Sequence, residues 1–279
     1  MNEASRRAGR FALKTLSPIA QNKMARALLT GLDDFICATL GRGGGSGWDH
    51  KGQVTALAKL ANVGNRPIIL DVGANNGEFV TALHDLIGKH DGEYHLFEPA
   101  TNVVPHLQQR IIQIPNCTII KQVVSDVDGC KVFNQATVGS GLGSIYERHD
   151  TSIQSREWLK LELPSITLDT YIGRCGIEHI DILKIDVEGA ELDVLNGATH
   201  ALSSGMIDTI MFEFGSANLN SRTQFSDFWW LFKRHGYRIY RVIPGGRYYE
   251  LEKLDDRDEY YRGPTNYIAK LIQSKKSSA

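Results

Sequence analysis

From Pro67 onward the chain repeats one pattern. A short apolar run is followed by a turn and then by about ten residues whose apolar positions recur at helical spacing. The runs cover 68–72, 94–98, 118–124, 180–186, 207–214, 237–243 and 266–271, and helices are predicted over 77–87, 103–113, 190–202 and 224–235. Apolar strands of this length, alternating with helices, make βαβ units, so the fold class is α/β: a mostly parallel sheet with helices on both faces. The stretch 127–167 interrupts the rhythm with a turn at Asp128-Gly129, a glycine-rich 139–143 and an alternating 160–167. It reads as an insertion facing the substrate. Ahead of the sheet, residues 10–40 read as helical, divided near Pro18, and five glycines between Gly41 and Gly47 mark a boundary. The expected organisation is a helical extension over 1–50 and an α/β domain over 51–279.

Ligands of open α/β sheets bind at the carboxyl ends of the strands. There the first strand reads Ile69-Leu-Asp-Val-Gly-Ala-Asn-Asn-Gly77, with Asp71 leading a turn through Gly73, Ala74, Asn75, Asn76 and Gly77. The spacing Gly73-x-x-x-Gly77 is not the dinucleotide fingerprint GxGxxG. An acid at the turn repels a pyrophosphate but can accept a hydrogen bond from an ammonium group, which favours a ligand carrying an amino-acid moiety over NAD. Glu98, followed by Pro99, ends the second strand 21 residues past Gly77, close to the roughly 20-residue offset at which an acid meets ribose hydroxyls. Ser125 and Asp126 end the third strand, where Asp126 can accept from an exocyclic amine such as adenine N6, although both are also good turn formers.

The fourth strand delivers Asp186 at its carboxyl end and Glu188 in the turn beyond. Two acids there can orient a hydroxyl, act as a general base or hold a metal, and Glu188 can instead complement a helix N-terminus. Glu213 sits within the apolar run of the fifth strand, so either Lys184 pairs with it or it lines the site. No metal centre is expected: the nine histidines show no HxxxH or HExxH spacing and the four cysteines no CxxC.

Charge adds one asymmetry. The net charge of −1 gives no global field toward nucleic acid, yet residues 1–30 hold Arg6, Arg7, Arg10, Lys14, Lys23 and Arg26 against Glu3 alone. This is a solvated terminus or a basic arm for an anionic surface. No apolar run reaches the roughly 18 residues of a membrane span and no signal-peptide core is evident, so the expected location is cytoplasmic.

Taken in order, DVGANNG, LFEP, VVSD, TLDTY, LKIDVEGAE and MFEF resemble the FkbM family of class I methyltransferases over about residues 67–214, with NYIAK similar to the closing strand. The resemblance implies a Rossmann-like seven-stranded sheet that binds S-adenosyl-L-methionine (SAM), and O-methylation of a hydroxyl on a sugar, glycan or other small natural product. It implies Asp71, Gly73 and Gly77 at the methionine end, Glu98 on the ribose and Asp126 near adenine. Asp186, Glu188 and Glu213 are then the catalytic candidates. Two other classes share the sheet. A nicotinamide oxidoreductase would need GxGxxG and a Tyr-Lys or His pair, and intact acids at every expected strand end speak against a non-catalytic SAM-fold assembly protein.

Overall fold

The computed structural model describes residues 13–14, 17–44, 49–61, 63–88, 91–136, 142–149, 157–259 and 263–272. Two compact units divide between Leu40 and Gly41. In the first, Pro18 lies in a 3-10 turn, Ser17–Gln21, ahead of helix α1 (Lys23–Thr39). The Asn22 side chain caps α1 by accepting from the amides of Met24 and Ala25.

The second unit opens with α2 (His50–Ala61) and then runs β1 (Ile68–Val72), α3 (Glu78–Ile87), β2 (Glu93–Phe97), α4 (Val104–Arg110) and β3 (Cys117–Ile120). After an excursion through β4 (Val123–Val124), β5 (Gly129–Ala136) and β6 (Trp158–Ile166), it resumes with α5 (Leu168–Cys175), β7 (Ile180–Ile185), α6 (Glu191–Asn196), α7 (Thr199–Ser203) and β8 (Ile207–Phe214). Last come α8 (Ser216–Asn220), α9 (Phe225–Arg234), β9 (Tyr237–Ile243), β10 (Arg247–Glu250) and β11 (Thr265–Leu271).

The main sheet has the order β10-β9-β11-β8-β7-β1-β2-β3. Strands β3, β2, β1, β7 and β8 are parallel, and β11, β9 and β10 antiparallel. The chain winds outward from β1 to β3 and returns to β7 on the other side of β1. The crevice between β1 and β7 is therefore the topological switch point. This is a Rossmann-like α/β fold with one correction to the expected strand count: among the described residues the sheet has eight strands, because residues 247–250 extend the Gly245-Gly246 hairpin onto its edge.

Alternation along each strand divides the core. Leu70, Val72, Leu183, Ile185 and Phe212 face one side with Phe225, Phe228, Trp229 and Phe232 of α9. Ile69, Leu96, Ile182 and Met211 face the other with residues of α2 and α3. The α9 aromatics are thus core, as their helical spacing suggests.

Two expected elements are broken. The run 118–124 leaves the main sheet at Lys121-Gln122, and Val123–Val124 pairs with β6 in a three-stranded sheet of order β4-β6-β5. The helix expected over 190–202 is interrupted at Gly197, where a Cβ would stand 2.1 Å from the carbonyl oxygen of Ser125. Asp169 caps the second piece, accepting from the amides of His200 and Ala201, and Thr167 caps α5. The TLDTY segment therefore owes these polar residues to capping.

Candidate functional site

The same alternation builds the floor of a site. On the face shared with α2 and α3, the rows Ile69/Asp71, Ile182/Lys184 and Met211/Glu213 turn from apolar to charged at the carboxyl ends of β1, β7 and β8. Asp71 and Lys184 are register partners, as are Glu213 and Asn266. Above this floor lies a cavity of about 240 Å³, walled by His50, Gln53, Gly73 to Asn76, Glu78, Phe79, Phe97 to Pro99, Gln122 to Val124, Phe133, Lys184 to Glu188, Met211, Glu213 and Asn266, among others.

Most of the expected site residues meet there. Gly73, Ala74, Asn75, Asn76, Glu98, Pro99, Asp186, Glu188 and Glu213 all line this cavity. Glu98 is 5% exposed, and its two carboxylate oxygens accept from the amides of Asn75 and Ala100, each at 2.8 Å. Burial pushes its carboxyl up and the two amides pull it back. A carboxylate fixed by one hydrogen bond per oxygen keeps lone pairs for vicinal hydroxyls on the cavity side.

Four expected contributors lie elsewhere. Asp71 is fully buried beneath the floor; Lys184 Nζ stands 3.1 Å from its Oδ1, although neither carboxylate oxygen has an aligned hydrogen-bond donor among the described residues. Burial raises the Asp71 carboxyl against the pull of Lys184. Gly77 is the N-cap of α3, in the left-handed region at φ 82°, packed against Leu107 of α4 and Ile111 just beyond it. Ser125 is buried and donates to Asp126, which turns to Lys131 at 2.9 Å, so beside the end of β3 the cavity is lined by Gln122, Val123 and Val124 instead. Gly73 needs φ 82° and sits where a Cβ would meet the Asp186 carbonyl oxygen at 1.9 Å. Close packing between two turns, as well as access for a ligand, demands glycine there.

Lys184 is the residue left without a site role by the sequence reading. Its Nζ donates to Gly73 O at 2.7 Å and lies 3.6 Å from Asp186 Oδ2. Burial lowers its affinity for a proton, but Asp71, Asp186 and Glu98 more than restore it, leaving the ammonium group with a raised pKa. Glu213 has no ion pair with it. Burial first, then the charges of Asp186, Glu188 and Glu191, push the Glu213 carboxyl well above the ordinary range. The signal that could have found Lys184 is a lone cation inside the buried run Ile182-Leu-Lys-Ile185.

The loop after β7 is braced from two sides. Glu191, buried, accepts from the amides of Val187 and Gly189 and from Asn218 Nδ2 at 2.7 Å. Glu188 adopts φ 56°, a left-handed conformation uncommon outside glycine. The insertion holds it there: Ser144 Oγ donates to the Glu188 carbonyl at 2.8 Å, Arg148 pairs with its carboxylate, and Tyr146 donates to Asp193 at 2.8 Å. His149 is exposed, off the cavity, and Asp150 and Gly139 to Gly141 lie outside the described residues. Far from the cavity, His179 spans Asp181 and Asp208 at 3.7 and 3.5 Å, an ion-pair cluster when the imidazole is protonated.

The wall carries the acids Glu78, Glu98, Asp186, Glu188 and Glu213 against Lys184 and His50, with the Lys184 ammonium already committed. Such a wall disfavours a pyrophosphate and suits a ligand bearing hydroxyls and positive charge. The sequence profile described as the methyltransferase FkbM domain matches residues 71–239. The 2-O-methyltransferase NoeI of Sinorhizobium fredii (strain NBRC 101917 / NGR234) is 24% identical over 147 residues, which cover 49% of this chain and 59% of the relative. This chain thus matches less than two thirds of that relative's length. Among solved structures, the methyltransferase FkbM from Methylobacillus flagellatus KT aligns with a TM-score of 0.48 at 16% identity, over 77% of this chain and 47% of that one. Aeropyrum pernix fibrillarin, solved with natively bound S-adenosyl-L-methionine, aligns at 0.42 and 15% identity, over 80% and 76%.

Proposed function

The chain belongs to the FkbM methyltransferase family, whose cofactor is S-adenosyl-L-methionine, and from that premise we propose that it methylates a hydroxyl group of a sugar, glycan or other small natural product. The observation that carries this reading is the convergence of Glu98 and Asn75 on one side of a single cavity with Asp186, Glu188 and Glu213 on the other. The hydroxyl acceptor draws further support from the 2-O-methyltransferase among the relatives.

SAM bound in the cavity supplies a methyl group activated by its sulfonium. Glu98 would accept from the ribose hydroxyls, the backbone of 73–76 would lie along the methionine end, and Gln122 to Val124 would flank the base. Asp186 is the proposed proton acceptor for the substrate hydroxyl, because an alcohol is a poor nucleophile until its proton is leaving. Lys184, 3.6 Å from Asp186, orients that carboxylate without occupying the cavity itself. Glu188, held by Arg148, is the second acid available to the acceptor. Glu213, with its raised pKa, is suited to donate a hydrogen bond rather than to take the proton. The insertion segment 142–149, anchored on the Glu188 loop, is the element best situated to choose the acceptor.

The proposed setting is the cytoplasm; among the described residues no helix is long and apolar enough to cross a membrane. The test is transfer of labelled methyl from SAM to a panel of mono- and oligosaccharides and polyhydroxylated small molecules, alongside amine and RNA acceptors. Label in alkali-stable ethers on hydroxyls supports the reading, and label only on nitrogen or RNA contradicts it.

A further inference from the structure

Helix α1 carries a broad apolar face. Met24, Leu28, Leu29, Leu32, Phe35 and Ile36 fall within an arc of about 140° on a helical wheel, and Arg26, Thr30, Asp33 and Asp34 occupy the opposite arc. The apolar side chains are exposed: Met24 by 79%, Leu28 by 75% and Phe35 by 69%. Large apolar surface held in water marks a binding site.

Charge tells what covers it. Residues 1–30 hold six cations and one acid, a net +5, within a chain of net −1, so the rest of the chain carries −6. This excess of positive charge lies in the sequence that leads into and begins α1. A helix with long apolar side chains on one face, polar groups on the other and a cluster of Lys and Arg at its start has the composition of an interfacial helix, which lies in the plane of a bilayer. A second copy of α1 is a poorer fit. A coiled-coil seam needs a narrow a/d stripe, whereas Ala25, Leu28, Leu32, Phe35 and Thr39, the residues in that register, offer only three large apolar groups and leave Met24, Leu29 and Ile36 in water. A nucleic acid would meet the cations and leave the whole apolar face exposed.

We propose that α1, with the basic residues preceding it, docks this protein on the surface of an anionic lipid bilayer, apolar face inserted and Arg6, Arg7, Arg10 and Lys14 against the headgroups. The site for SAM is not involved, so its occupancy serves as an independent check on folding.

The experiment is co-sedimentation of the full chain with vesicles of phosphatidylcholine alone and of phosphatidylcholine mixed with phosphatidylglycerol. The protein is expected to pellet with the mixed vesicles and to be released as salt is raised. Leu28→Glu/Leu32→Glu should reduce the bound fraction by about tenfold or more, and Thr30→Gln on the polar face should leave it unchanged. Arg6→Gln/Arg7→Gln/Arg10→Gln should weaken binding to mixed vesicles and flatten its salt dependence. Each variant is to bind SAM as the parent does. Failure to pellet with mixed vesicles, equal binding to neutral ones, or indifference to the double Glu substitution would overturn the proposal. So would a dimer in solution that the double substitution converts to monomer, since a second copy would then own the face.

Discussion

Lys184 Nζ, at the floor of the cavity, lies 3.1 Å from Oδ1 of the buried Asp71, its register partner on the adjacent parallel strand. This pair explains why an apolar strand tolerates a lone cation. Asp71 at full burial needs a counter-charge, and the lysine then reaches on to Gly73 O and toward Asp186, tying the glycine turn to the candidate catalytic strand end.

Removing one partner should therefore be far worse than removing both. Lys184→Met leaves a buried uncompensated acid and should destabilise the fold by about 3–5 kcal/mol, and adding Asp71→Asn should recover most of that loss. Urea denaturation of the two single variants and the double measures the coupling; additive losses would show that the pair does not act as a unit.

The two glycines Gly73 and Gly88 separate crowding from backbone strain. Both have positive φ, but a Cβ at Gly88 meets nothing within 4 Å while one at Gly73 meets the Asp186 carbonyl oxygen. Gly88→Ala should cost about 1–3 kcal/mol, the strain of a positive φ combined with ψ 148°, a region open in practice only to glycine. Gly73→Ala should cost clearly more and abolish SAM binding, as thermal denaturation and titration together would show.

Glu213 gives a pH dependence of definite sign. Its carboxyl has a raised pKa in the fold, so between the ordinary glutamate pKa of 4.5 and its own value the folded protein binds the extra proton. Stability from this group falls as pH rises through that window. Glu213→Gln, which cannot ionise, should match the parent below pH 4.5 and exceed it increasingly above. Melting temperatures of both proteins across the acid-to-neutral range would expose the reverse trend if the sign is wrong.

Asp186→Asn should lower turnover by about 10²–10⁴-fold with SAM affinity largely kept, the mark of a lost proton acceptor. Arg148→Met, which frees the Glu188 carboxylate from the insertion, should lower turnover by about ten- to a hundredfold through misplacement rather than through loss of SAM binding. Steady-state rates paired with SAM titrations distinguish these outcomes; a parallel loss of SAM affinity in either variant would count against its role.

The legible part of the molecule is the part governed by local pattern. The apolar runs of β1, β2, β7 and β8 announce a parallel sheet, and their terminal acids Glu98 and Asp186 fall where strand ends must, on the cavity wall. What pattern could not reveal depends on pairing between distant segments. Asp126 follows Ser125 at a strand end in sequence, yet Val123–Val124 pairs with β6, and Lys131 on β5 captures its carboxylate. Arg148 and Ser144 sit in an insertion with no periodicity, and only the folded chain brings them to Glu188. His50 and Gln53 reach the cavity because α2 packs on α3, a contact invisible in either segment alone.

The central claim is that the cavity beside Glu98 is the SAM site. Its most direct test is calorimetric titration of the protein with SAM, S-adenosylhomocysteine and NAD, repeated on Glu98→Ala. The account predicts that the two adenosyl ligands bind, that NAD does not, and that the substitution abolishes binding in a protein that still folds. Binding of NAD alone, or SAM affinity unchanged in Glu98→Ala, would contradict it.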